Sequence, residues 1–260
     1  MGTIGLYAGG AIRQFLPAAM AISLTARANW LLGEPELQVL TGLCEPTRIA
    51  VDVGANFGAY TYWLARHTQH CIAFEPNPTC AAFLRRARMQ NVTVEQVALS
   101  ALPGAATLAV PRKGRWEVTT EGELHLSQVP GPDPGLPRHV TAIVVATRRL
   151  DDYHLSNVGV IKIDTEGHEG DVLRGALKTI RDSNPYVLVE CEERHRQHAL
   201  ARAFDILTNE GYLAACLNSS RLHRFTSPAE GYRIAESVNF MFLPQDSPGA
   251  SVLIEPRFRT

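Results

Sequence analysis

The sequence predicts an α/β sandwich built on a mostly parallel sheet, and three observations carry that expectation. Apolar runs such as Ile49-Ala50-Val51, Val158-Gly159-Val160-Ile161 and Tyr186-Val187-Leu188-Val189 lack the alternation of half-exposed strands and read as strands covered on both faces. Segments with helical spacing separate them: Leu173, Ala176, Leu177 and Ile180 form one apolar stripe, and Leu200, Ala203, Phe204 and Leu207 another. Three of the apolar runs close on an acid, Glu75, Asp164 and Glu190, and a pure core needs no acids there.

From the N-terminus, the stretch between Ile4 and Leu24 is rich in Ala, Gly, Ile and Leu, but Arg13 and Gln14 interrupt it and no basic cluster precedes it. An amphipathic helix fits better than a membrane span or a secretory signal. A turn and a short helix follow, with Pro35 at an early helical position, and lead into a strand from Ile49. After Glu75, Asn77 is a good N-cap and Pro78 a good first helical residue for a helix reaching about Met89. Residues 91–100 read as the third strand. Residues 105–110 and 140–146 look like strands, whereas the Pro- and Gly-rich residues 129–137 between them cannot be regular. So long a loop suits an acceptor-binding cover to which Trp116, His125 and His139 would belong. Beyond the break at Pro185 come a strand over 186–191, a helix ended by Gly211, and two closing strands over 212–217 and 237–243.

The chemistry concentrates in two stretches. In Asp52-Val53-Gly54-Ala55-Asn56-Phe57-Gly58 a strand meets a glycine turn and a helix, and Glu75 follows Asp52 by 23 residues, about where an acid reaches a ribose diol. An adenosine-containing ligand is implied. Asn56 replaces the middle glycine of a dinucleotide fingerprint, which disfavours a pyrophosphate and hence NAD. S-adenosylmethionine lacks phosphate and carries an ammonium for Asp52 and a carboxylate for the amides of the turn. Gly54, Asn56 and Gly58 would surround its methionine part, Glu75 its ribose, and Ala98 its adenine. In the second stretch, Lys162-Ile163-Asp164-Thr165-Glu166-Gly167, a period of two puts Lys162 and Asp164 on one face, where the cation favours the ionised carboxylate. Asp164 and Glu166 are the first candidates to orient and deprotonate an acceptor; Glu190, His168 and His195 come next. No metal is assigned, although Asp164, Glu166 and Glu190 offer the hard oxygens that a divalent cation would take.

A net charge of −1 and a pI near 6.8 give no field for a phosphate backbone, so nucleic-acid binding is disfavoured. Five scattered cysteines without C-x-x-C spacing fit neither a disulfide framework nor a zinc site and point to a reducing cytoplasm.

Together, Val51-Asp52-Val53-Gly54-Ala55-Asn56-Phe57-Gly58, Phe74-Glu75-Pro76-Asn77-Pro78, Ala98-Leu99-Ser100, Leu150-Asp151-Asp152, Ile161-Lys162-Ile163-Asp164-Thr165-Glu166-Gly167 and Val172-Leu173-Arg174-Gly175-Ala176 resemble the FkbM-type S-adenosylmethionine-dependent methyltransferases. The resemblance runs from about Trp30 to Phe242. It implies a Rossmann-like class I methyltransferase fold, with a seven-stranded sheet whose last strand is antiparallel. It also implies S-adenosyl-L-methionine as cofactor, with Tyr60, Thr61, Pro76, Asn77 and Asp164 joining its binding set. The expected reaction is O-methylation of a sugar or natural product such as a macrolide or glycoside; amide or peptide N-methylation and a non-catalytic nucleoside-binding protein are the alternatives. The expected partners are a small-molecule or glycan acceptor, with no nucleic acid and no stable membrane insertion; self-association is compatible with the sequence. The chain then divides into an N-terminal helical segment (1–48), a methyltransferase domain (49–245) with an insertion at 103–147, and a C-terminal tail (246–260).

Overall fold

The computed structural model describes residues 16–113, 116–117, 123–125 and 140–253. Two N-terminal helices, α1 (Ala18–Leu32) and α2 (Pro35–Gly42), lead into β1 (Ile49–Val53), α3 (Ala59–His67), β2 (His70–Phe74), α4 (Pro78–Arg86) and β3 (Val92–Glu95). Then come β4 (Ala98–Leu99), β5 (Gly104–Lys113), β6 (Trp116–Glu117), β7 (Glu123–His125) and β8 (Val140–Arg148). The pattern resumes with β9 (Val158–Ile163), α5 (Glu169–Arg174), α6 (Leu177–Ser183), β10 (Tyr186–Glu190) and α7 (Ala199–Asn209). It closes with β11 (Tyr212–Asn218), β12 (Arg221–Arg224), α8 (Pro228–Ile234) and β13 (Asn239–Pro244).

The main sheet has the order β12-β11-β13-β10-β9-β1-β2-β3. Strands β10, β9, β1, β2 and β3 pair in parallel, and β13 runs antiparallel between β10 and β11, so the expected fold class holds. An eighth strand adds to the expected seven. It is β12, returned antiparallel from β11 by Ser219 and Ser220, both with positive φ, the backbone of a tight right-twisting hairpin. Strand faces alternate as the pleat requires. Val51, Val53, Ile161 and Ile163 pack with Leu173, Ile180 and Leu200, whereas Ala50 and Val160 pack with Leu37 of α2 and Leu64 of α3.

Two expected elements are broken. The single strand over 91–100 divides because Val92–Glu95 pairs with β2, while Ala98–Leu99 leaves to pair with β8 in a second sheet, where β5 and β8 run antiparallel. The helix expected through Leu173 to Ile180 stops at Gly175, where a Cβ would stand 2.1 Å from the Ser100 carbonyl oxygen. Asp151 restarts it: its carboxylate accepts from the amides of Lys178 and Thr179 at 3.0 and 2.8 Å, and so caps α6. Of the helix expected between Ile4 and Leu24, the described part falls in α1 from Ala18, and residues 1–15 lie outside the described residues. Asn77 caps α4 as expected, accepting from the Thr79 amide at 2.9 Å. Of the expected cover, residues 127–137 and His139 lie outside the described residues, as do the side chains of Trp116 and His125. No helix among the described residues is long and apolar enough to cross a membrane.

Candidate functional site

Register brings the site together. Val53 pairs with Phe74 and with Ile163, and Ile163 with Val189, so the residues that follow, Gly54, Glu75, Asp164 and Glu190, emerge side by side at the carboxyl edge. Gly54 is obligatory in the turn there. Its φ is +74°, and a Cβ would sit 1.8 Å from the Asp164 carbonyl oxygen. Asn56 also takes a left-handed backbone and donates its amide to Glu75 Oε2 at 2.6 Å, while Asn77 donates to Glu75 Oε1 at 2.8 Å. The two amides fix the carboxylate at the end of β2, where burial raises its pKa to about 7 against their stabilisation of the anion.

An open cleft of about 680 Å³, solvent included, runs along this edge. Gly54, Asn56, Glu75, Pro76, Asn77, Ala98 and Asp164 line it, together with the apolar Phe74, Val97, Leu99 and Leu108 and with Glu166 and His168. Four of the expected cofactor residues stand behind it. Asp52, expected against a ligand ammonium, is fully buried; it accepts from Thr61 Oγ1 at 2.5 Å and lies 3.9 Å from Lys162 Nζ. It stands one residue before the end of β1, on the face that packs against α3, and is not part of the cleft wall. Gly58, with φ +86°, starts α3 and leaves room for Leu84, and Tyr60 donates its hydroxyl to Glu34.

Around the buried Lys162 the carboxylates gather. Its ammonium is 3.1 Å from Asp164 Oδ2 and 4.9 Å from the centre of the Tyr60 ring. Asp164 and Glu190 share a hydrogen bond, and burial, followed by the Asp164 charge, lifts the Glu190 pKa to about 9. Glu190 therefore holds a proton at neutral pH and donates it towards Asp164, the member of the pair that lines the cleft.

The remaining candidates form a neighbouring group. Glu166 has a left-handed backbone, and its Oε2 lies 3.1 Å from His195 Nε2, itself 3.2 Å from Glu192. His195 is not part of the cleft wall; it reaches the site through Glu166. His168 is buried, its Nε2 3.0 Å from Ser100 Oγ, and desolvation lowers its pKa so that the ring is neutral. Sequence reasoning missed Glu169, whose Oε1 accepts from the amides of Thr165 and Gly167 at 3.2 and 2.9 Å and shapes the loop that carries Glu166. Among the described residues, no three His, Cys, Asp or Glu side chains converge as metal ligands.

Residues 52–214 match the model of the methyltransferase FkbM domain. The chain belongs to the FkbM methyltransferase family. Methyltransferase 1 of Beauveria bassiana (strain ARSEF 2860) is 29% identical to it over 181 residues, which is 64% of this chain and 72% of that one. The 2-O-methyltransferase NoeI of Sinorhizobium fredii (strain NBRC 101917 / NGR234) is 28% identical over 159 residues, covering 55% of this chain and 63% of that one. The crystal structure of methyltransferase FkbM from Methylobacillus flagellatus KT has 18% identity and a TM-score of 0.47, over 90% of this chain and 58% of that chain. The chain thus spans less than two thirds of the second relative and of this crystal structure. The two chemical stretches, Asp52 to Gly58 and Lys162 to Gly167, fall inside the FkbM match, whereas Glu34 and Asn239 fall outside it.

Proposed function

We propose that this FkbM-family methyltransferase uses S-adenosyl-L-methionine to methylate a hydroxyl of a sugar or natural-product acceptor. The observation that carries the reading is the asymmetry of the cleft. One end joins the Glu75 carboxylate to apolar walls, Phe74, Val97, Leu99 and Leu108, a combination that suits a ribose diol and an adenine. The other end presents Asp164 backed by Lys162 and protonated Glu190. The residues present therefore fit the cofactor: Glu75 would hold the ribose, Gly54 and Asn56 the methionine part, and Ala98 and Leu99 the base. When bound, the cofactor supplies an electrophilic sulfonium methyl.

The protein's own part is to hold the acceptor in line and to take up one proton. Asp164 accepts the hydrogen bond of the acceptor hydroxyl and receives its proton, and a positioned base of this kind contributes about 100- to 10,000-fold. Lys162, its ammonium 3.1 Å from Asp164 Oδ2, orients that carboxylate. Glu190, already protonated, adds a donor to the same carboxylate without adding a second negative charge. Carboxylates that only accept hydrogen bonds suit a polyol, and the relative named as a 2-O-methyltransferase lends weight to oxygen as the methylated atom. Incubation with the cofactor and a panel of glycosides and macrolides, followed by magnetic-resonance location of the new methyl group, tests the reading. Methyl on a hydroxyl oxygen is expected; methyl on amide nitrogen alone would overturn it.

A further inference from the structure

We propose that Glu34, from the N-terminal segment, is a specificity-determining residue that binds the acceptor hydroxyl next to the one methylated, so that the preferred acceptor is a vicinal diol. The proposal rests on the O-methylation reading above and names the substrate class within it.

Glu34 occupies the N-cap position of α2 and makes no side-chain cap bond there. Its carboxylate turns to the sheet edge instead. There Oε2 accepts from the Tyr60 hydroxyl at 2.6 Å and from Asn239 Nδ2 at 3.4 Å. Both donors are buried and belong to the site's frame. Tyr60 stands in the first turn of α3, directly after the glycine turn, and Asn239 opens β13 in register with Glu190. Two rigid donors on one oxygen hold the carboxylate in a single pose. The other oxygen, Oε1, has no hydrogen-bond partner among the described residues, and Glu34 as a whole is only half-buried.

The setting says what would meet that oxygen. Tyr60, which binds Glu34, also lies under the Lys162 ammonium that contacts Asp164. Contacts thus run from Glu34 through Tyr60 and Lys162 to Asp164, and return from Asp164 through Glu190, whose strand partner Asn239 donates to Glu34. A partner here must donate hydrogen bonds, and two adjacent hydroxyls can serve Asp164 and Glu34 together. The Ser237 hydroxyl, bound to the neighbouring Glu36, ties α2 to the loop before β13 and so fixes the height of Glu34 over the edge.

The test uses the full chain, S-adenosylmethionine, and methyl glycosides together with their monodeoxy analogues, following S-adenosylhomocysteine release. For a diol acceptor, E34A should raise KM about tenfold with kcat within about threefold, since binding lost equally in ground and transition states appears in KM. E34Q, which keeps the size of the side chain and one acceptor oxygen, should fold like the wild type and raise KM less. The monodeoxy analogue lacking the neighbouring hydroxyl should show the same KM with wild type and E34A. Cofactor affinity measured by calorimetry should be unchanged. An unaltered KM for the diol in E34A, or an equal rise for diol and deoxy acceptors, would overturn the assignment of Glu34 while leaving the O-methylation reading in place. Absence of turnover by the wild type on every hydroxylated acceptor would instead remove that reading, and the inference with it.

Discussion

Glu75 is held by opposing influences: burial favours its neutral form, and two backbone amides favour its anion, so it titrates near pH 7. Only the anion can accept from both hydroxyls of a ribose through charge-assisted bonds, each worth roughly 1.5 to 3 kcal/mol. Cofactor affinity should therefore fall as pH drops below 7, by about tenfold between pH 8 and pH 5.5, and E75Q should bind weakly with little pH dependence. Titration calorimetry across that range checks it, and a wild-type affinity that stays flat would place the ribose elsewhere. At this scale the sequence was partly legible. Asp164 and Lys162 share a face because the pleat has period two, a local rule readable from spacing. The same rule turns Asp52 to the helix side, but its burial under α3 and its bond from Thr61 depend on packing, which spacing alone does not give. Glu34 lies 205 residues from Asn239, and no local signal links them.

Among the elements, strands β1, β2, β9 and β10 lie where unbroken apolar runs predicted them, because burial on both faces leaves a strong mark in sequence. The breaks were harder to read. Helical periodicity passes unbroken from Leu173 to Ile180, yet the Ser100 carbonyl occupies the space beside Gly175 and Asp151 caps the restart. The β11–β12 hairpin went unread because its turn is Ser219-Ser220, without the Asn-Gly or Asp-Gly that usually supplies positive φ. The cap makes a prediction. Asp151 accepts from two amides and from Thr179 Oγ1, so D151A should destabilise the chain by about 1 to 2 kcal/mol. Urea unfolding should show a lower midpoint at unchanged slope; an unmoved midpoint would mean that α6 starts without help from Asp151.

For the whole molecule, the buried acids set how stability varies with pH. Glu190 keeps its proton to about pH 9 in the folded chain and loses it near its ordinary value of 4.5 once unfolded. Between those values unfolding releases a proton, so stability falls as pH rises. Glu75 acts with the same sign only up to about pH 7, and His168, with its lowered pKa, acts below its ordinary 6.5. Between pH 7 and pH 9, therefore, Glu190 should remove on the order of 1 to 2 kcal/mol, read as a falling Tm. E190Q should flatten that decline, and an equally steep fall in E190Q would assign it to another group.

The central claim is that this cleft brings a bound cofactor and an acceptor hydroxyl together at Asp164. Release of S-adenosylhomocysteine, with wild type and D164N compared on the same hydroxylated acceptor, tests it most directly. The account predicts release above the no-acceptor blank for wild type and a fall of about 100-fold or more in kcat for D164N, with cofactor affinity little changed. Wild-type turnover that D164N leaves intact would contradict it.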